Sequence, residues 1–240
     1  MQQKTSRSPK NRILAGLSAA DMALLKPDLE PVELTLRQVL EVPNKPIKHS
    51  YFIEYGLASI VAVNKDKRLE VGLIGCEGVT GIPIMLGNDR SPNETCMQVG
   101  GDGVRITADK LRDAISQSQS LQRTLLDFVH GFLNQTANTA LSNGTATLEE
   151  RLARWLLMAH DRLRGDEVPL THEVLSLKLG VRRAGVTVAL HNLAQRGLVR
   201  LSRSQVVITD RKGLKEAANG SYRKPTKSVA FRQSRSQYAD

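Results

Sequence analysis

Arg183, Thr187 and His191 stand four residues apart in this 240-residue chain, with Arg182 immediately before them. Residues at that spacing share one face of a helix. A guanidinium held at the start of such a helix can donate two parallel hydrogen bonds to the O6 and N7 of guanine, and the helix N-terminus adds its dipole toward phosphate. The surroundings suit that chemistry: between Val174 and Thr209 there is no Asp or Glu, while Lys178, Arg182, Arg183, Arg196, Arg200 and Arg203 all fall in the window. A solvated charged face usually mixes signs, so a stretch of one sign favours a surface that meets phosphate.

The elements that would position these side chains are short and well punctuated. Thr171 can cap a helix whose inward residues are Val174, Leu175 and Leu179, and Gly180 provides a turn. A second helix is expected from about Arg182 to Gln195, held by Val186, Ala189 or Leu190, and Leu193, and ended by Gly197. Leu198–Leu201 and Gln205–Ile208 then alternate across Ser202-Arg203-Ser204, the pattern of a two-stranded wing with Arg203 at its tip. In a helix-turn-helix the second helix enters the major groove. A helical pair about a Gly is a weak signal alone; pair, wing and missing acids together make a strong one.

Upstream, Thr147-Leu148-Glu149-Glu150 is a capping box that starts a helix with Leu148, Leu152, Trp155, Leu156, Ala159 and Leu163 on its buried face. Gly144, just before it, is the expected hinge between two domains. Residues 31–107 contain seven apolar stretches of strand length (PVELTL, QVLEV, SYFIEYG, LASIVAV, RLEVGLIG, ETCMQV and GVRIT) and no crossover helix. They predict an antiparallel β-roll of the double-stranded jelly roll type with about eight strands, so the whole chain is α+β. Ser18 is placed to cap a helix from Ala19 that ends before Pro27. From Ala108 the pattern turns helical, with Leu121, Leu125, Phe128 and Phe132 on one stripe and Leu126, Val129 and Leu133 on a second. Such a helix can bury one surface on the roll and the other on a twin, which makes a homodimer through Leu121, Leu125, Phe128 and Phe132 the expectation; packing both stripes inside one subunit is the alternative.

Composition narrows the classes. The net charge is +10, and residues 1–146 hold 16 basic against 15 acidic side chains, 147–210 hold 10 against 7, and 211–240 hold 8 against 2. A C-terminal basic excess points to a polyanion, nucleic acid or an acidic membrane surface. Two cysteines, Cys76 and Cys96, build neither a disulfide framework nor a four-thiolate cluster. No stretch approaches the roughly 20 apolar residues that span a bilayer, and the polar N-terminus lacks a signal-peptide core. A cytoplasmic protein without membrane contact is expected.

These motifs, and their order, resemble the Crp–Fnr family of bacterial transcription regulators over residues 13–212. SYFIEYGLASI and LIGCEGVTGIP match its cyclic-nucleotide-binding-like roll, LLDFVHGFLNQ its dimerisation helix, and LSLKLGVRRAGVTVALHNL its winged reader. The resemblance implies that Arg183 occupies the base-reading position, supported by Arg182, Thr187 and Arg203, and that Thr171 and His172 grip phosphate. Ala184 stands where many members have Glu, so the target half-site would differ. It also implies double-stranded DNA as partner, a second copy of the chain, and RNA polymerase if the protein activates. The sensory motifs depart from the family. Gly81 is followed by Ile82-Pro83 where nucleotide binders carry Glu-Leu, and Arg90-Ser91 is followed by Pro92 rather than Ala. Residues 1–75 contain no Cys for an iron–sulfur cluster. No cofactor, no cyclic nucleotide and no metal is expected, and the effector is left open.

The expected layout is a disordered N-terminus (1–11), a roll (12–115), a dimerisation helix (116–143), a winged helix-turn-helix (144–212) and a basic tail (213–240). An enzyme of cupin type would need several His converging on a metal, and residues 30–110 supply only His49; catalysis is not expected. An RNA-binding or protein-binding winged helix, and a constitutive DNA binder with a vestigial roll, are the remaining alternatives.

Overall fold

The computed structural model describes residues 9–65 and 67–223. Two short helices open it, α1 (Arg12–Gly16) and α2 (Ala19–Leu25), the second capped by Ser18 as expected. Disorder was expected through residue 11, but Asn11 is fully buried. Its side chain accepts from the amides of Ile13 and Leu14 and donates to the carbonyls of Ile53 and Gly78, stitching α1 to the roll. Residues 1–8 lie outside the described residues.

The roll is an antiparallel sheet of β1 (Glu30–Leu34), β2 (Val39–Glu41), β3 (His49–Asn64), β4 (Lys67–Ile74) and β5 (Asn93–Thr107), in the order β1-β5-β3-β4 with β2 also on β5. The one-turn helix α3 (Ile82–Met85) lies between β4 and β5 in sequence. Among the described residues the strand count is five, not about eight. SYFIEYG and LASIVAV are one strand, as are ETCMQV and GVRIT, because register shifts at Tyr55 and Leu57 bend two long strands without ending them. Phe52, Val79, Ile84 and Ile106 fill the side that meets the helices.

Helices α4 (Ala108–Gln117) and α5 (Gln119–Thr145) are separated by Ser118, which caps α5. The long helix therefore starts at Gln119 rather than 116. It runs through Gly144 and breaks at Ala146, so Gly144 is not the hinge.

Helix α5 also corrects the expected dimer seam. Leu121 and Leu125 are 0% and 1% exposed in a single chain, packed with Leu111 and Phe52 in the roll's core. Phe128 lies against Gly78 and Phe132 against Gly72, where a Cβ would stand 2.5 Å from the Phe132 ring. The roll offers bare backbone at these two points, and flat rings fill it. The stripe left facing solvent is Leu126, Leu133 and Leu141, at 38%, 57% and 62% exposure, with His130 and Ala137 exposed between them.

Thr147 and Glu150 form the expected capping box at the start of α6 (Leu148–His160). There follow β6 (Glu167–Pro169), α7 (His172–Leu179), α8 (Arg183–Gln195), β7 (Val199–Ser202), β8 (Gln205–Ile208) and α9 (Arg211–Ala217). Leu214, Ala218 and Tyr222 are buried in the reader's core, so the module continues past 212, where the tail was expected to begin. Residues 224–240, with most of the basic arm, lie outside the described residues.

Reader and roll share a joint. Leu57, Leu73 and Val99 of the roll belong to the same core cluster as Trp155 and Leu179. Glu70 on β4 is its polar centre: Oε1 accepts from Trp155 Nε1 at 2.5 Å, and Oε2 accepts from Ser59 Oγ at 2.5 Å and lies 3.3 Å from Lys178 Nζ. Lys178 Nζ also donates to Ser59 Oγ at 2.6 Å. A second ion pair, Arg162 with Glu77 at 2.6 Å, ties the end of α6 to the loop after β4. No described helix is long and apolar enough to cross a membrane.

Candidate nucleic-acid interface

The reader is built on buried apolar contacts between its two helices. Thr171 accepts from the Val174 amide at 3.3 Å to open α7, and Leu175 and Leu179 face inward. Gly180, at φ +64°, takes the left-handed turn that a side chain would resist. Val186, Ala189, Leu190 and Leu193 of α8 close on the same core. Helix α8 begins one residue later than expected, with Arg182 at its cap, and no side chain bonds its first amides. Those free N–H groups carry the positive end of the helix dipole at the surface.

The structure brings most of the expected residues together. Arg182, Arg183 and His191 are exposed on α8, and Thr187 is half-buried between them. Thr187 Oγ1 donates to the Arg183 carbonyl at 3.1 Å and lies 3.0 Å from His172 Nδ1. With the hydroxyl proton on that carbonyl, Thr187 accepts from His172 Nδ1–H, which fixes the imidazole across the two helices. Burial, then the nearby Arg183 and His191, holds the His172 pKa below its usual value of 6.5. Thr171 is exposed beside it. Arg203 sits apart, exposed at the tip between β7 and β8, next to Ser204 at φ +60°. A third strand, β6, pairs with β8 and braces the wing, which the alternation of two strands did not foretell.

Because the folded pKa of His172 lies below the unfolded one, the folded state takes up this proton less readily. Its contribution to stability is complete above pH 6.5 and is lost as the pH falls from there through the folded value. Calorimetry of the full-length protein should show wild type losing more stability than His172→Gln between pH 7.5 and 5.5. Parallel losses would show that the His172 environment does not matter.

Two cations of the acid-free window are not at the interface. Lys178 is spent on Glu70, as described above, and Arg196 pairs with Glu149 on α6 at 2.6 Å. Among the described residues, Arg182, Arg183, Arg200 and Arg203 have no carboxylate partner. Val188, expected on the outer face but not as a DNA contact, is 61% exposed on the α8 face between Arg183 and His191. An exposed apolar residue there can meet the methyl group of thymine. Its signal was the helical spacing itself, which put it outside the core stripe.

Residues 150–217 match the family model of the Crp-like helix-turn-helix domain. The reader belongs to that family. Around this Crp-like reader about 80% of the chain has the fold of solved Crp–Fnr structures. FixK2 from Bradyrhizobium japonicum is 18% identical, with a TM-score of 0.69 over 79% of this chain and 96% of its own. TTHA1359, a Crp/Fnr-family transcriptional regulator from Thermus thermophilus, is 21% identical, with a TM-score of 0.64 over 80% and 100%. CLP, a c-di-GMP-responsive global regulator from Xanthomonas campestris, is 17% identical, with a TM-score of 0.63 over 80% and 99%. At these identities the likeness establishes the fold. By sequence, no curated protein matches the chain.

The roll attached to the Crp-like reader has its own polar interior. The Gly81 amide donates to Glu41 Oε1 at 2.8 Å, and burial pushes the Glu41 carboxyl above the usual range against the pull of Gly81 and Thr95. Glu41 is a buried carboxylate that the sequence did not mark, because its strand is only three residues long. Arg90 is exposed, 3.5 Å from Asp89 and 3.4 Å from the Asn44 carbonyl, so it is engaged at the surface and not in the roll's interior. Cys76 and Cys96 are free and half-buried, and burial raises both thiol pKa values.

Proposed function

We propose that this protein is a sequence-specific transcription regulator that binds double-stranded DNA in the cytoplasm as a homodimer on a palindromic site, gated by a signal at the roll. The observation that carries the reading is the α8 face: Arg183, Thr187, Val188 and His191 project from a helix with free N-terminal amides, with Arg203 exposed at the wing tip and no acid between Val174 and Thr209. Arg183 reads guanine, Arg182 and Arg203 support it, and Thr171 and His172 meet the backbone. Two chains pair along the α5 stripe of Leu126, Leu133 and Leu141, which is apolar and left uncovered by the single chain. As an activator it would also touch RNA polymerase.

Arg183→Ala should cost about 1–3 kcal/mol on the preferred duplex and much less on unrelated DNA. Fluorescence anisotropy on both duplexes decides this; an equal loss on both would assign Arg183 to phosphate alone. The same measurement with single-stranded RNA separates the DNA reading from an RNA-binding winged helix. Tighter binding to the RNA than to any duplex would remove the proposal.

A further inference from the structure

The seam where β4, α5, α6 and α7 meet holds a small, partly open cavity of about 20 Å³, lined by Glu70, Ser142, Arg151, Arg154, Trp155 and Lys178 among others. That is room for one atom-sized guest. Two of the lining residues carry a buried polar atom with no hydrogen-bond partner among the described residues: Ser142 Oγ, on a side chain that is 4% exposed, and Arg151 Nε. The rest of the Arg151 guanidinium is engaged, with Nη2 donating to the Leu179 carbonyl. Buried polar groups are nearly always satisfied, so two unpaired donors on residues that line one small space call for a guest.

Charge says what kind of guest. Three cations, Arg151, Arg154 and Lys178, border the cavity against one carboxylate, Glu70, which is already joined to Lys178. Arg154 donates only to neutral oxygens: the Ser221 carbonyl at 3.1 Å, Thr139 Oγ1 at 2.9 Å and the Gln135 carbonyl at 3.4 Å. Among the described residues neither arginine has an ion-pair partner. Burial, and after it the charge of Arg162, draws the Arg154 pKa down to about 10, with Glu70 pulling the other way. A water molecule would satisfy the two donors and leave the charge uncompensated. Phosphate, sulfate and any nucleotide are too large for the space.

We propose that this cavity is a binding site for a single-atom anion of the halide class, chloride above all, held by Ser142 Oγ–H and Arg151 Nε–H. Such an ion would tie the long helix, through Ser142, to α6 of the reader, through Arg151, with Arg154 of α6 and Lys178 of α7 adding positive charge and the negative charge of Glu70 on the roll offset by its ion pair with Lys178. The site depends neither on DNA nor on pairing of two chains, so it stands apart from the function proposed above.

Crystals of the full-length protein grown without chloride and soaked in bromide should show an anomalous difference peak between Ser142 Oγ and Arg151 Nε. In solution, replacing gluconate, which cannot enter, by chloride at constant ionic strength should raise the melting temperature of the wild type by several degrees. Ser142→Val, which keeps the bulk and removes the donor, should lose both the peak and the chloride dependence. Arg151→Lys, which removes the Nε–H, serves the same purpose if the first variant does not fold. A lone water in the cavity without anomalous signal, or a wild-type melting temperature indifferent to chloride, overturns the proposal.

Discussion

Replacing Glu70 by alanine should destabilise the protein by about 3–5 kcal/mol, the loss typical when one partner of a buried ion pair is removed. Three groups depend on this carboxylate. Lys178 Nζ would keep only Ser59 Oγ, Trp155 Nε1 would lose its acceptor, and Ser59 would lose the oxygen it donates to. The side chains of Lys178 and Glu70 are 9% and 5% exposed, so solvent cannot take over. Trp155 is the only tryptophan in the chain and stands in the joint, so urea denaturation followed by its fluorescence reports the loss directly. Replacing both partners, Glu70→Met with Lys178→Met, should recover most of the stability, because the cost lies in the orphaned charge more than in the pair's own strength. A loss below about 1 kcal/mol for Glu70→Ala would mean that water reaches the joint and that the reader is not held as described.

The second large effect concerns pairing of two chains. Leu133→Asp places a carboxylate in the middle of the exposed α5 stripe, where in a twofold dimer it would face its own copy or close neighbours of it. Two apposed carboxylates in an apolar seam have no partner, so the dimer should come apart. Leu133 is 57% exposed in the single chain, so the subunit itself should remain folded. With one reader in place of two, affinity for a full palindrome should fall about 10²–10⁴-fold, the range that linking two binding modules commonly supplies. Sedimentation of the variant gives the mass, and a gel shift gives the affinity. A dimer that survives Leu133→Asp would move the interface elsewhere. Phe132→Asp makes the useful contrast, because Phe132 lies on Gly72 and its replacement should damage the fold of the chain itself.

What the sequence made legible was local. Thr171, Gly180 and Gly197 punctuate the reader within a few residues of the helices they bound, and the wing alternates over adjacent strands. The resemblance to Crp–Fnr regulators rested on that order of elements, and the reader and the fold confirm it. What stayed hidden depends on contacts between distant segments. Lys178 and Arg196 read as phosphate-facing because Glu70 and Glu149, which neutralise them, lie outside the acid-free window. The two expected stripes of α5 are similar in hydrophobicity, and the face that packs is chosen by Gly72 and Gly78, whose bare backbone accepts the rings of Phe132 and Phe128, with Val129 of the second stripe buried beside the first. Two strands became one in β3 because a bulge near Tyr55 bends the backbone, where the sequence reads as a break at Gly56. Asn11 looked like the end of a polar tail, and its two hydrogen bonds to the Ile53 and Gly78 carbonyls become visible only when β3 and the Gly78 loop are in place.

The central claim, that two copies of this reader recognise DNA sequence through Arg183, is tested most directly by selecting bound duplexes from random DNA with wild type and Arg183→Ala in parallel. Wild type should enrich a palindrome with half-site centres about 34–36 Å apart and a fixed guanine in each, and the variant should keep the spacing while relaxing that guanine. Enrichment of no palindrome by the wild type, or the same fixed guanine in both selections, would contradict it.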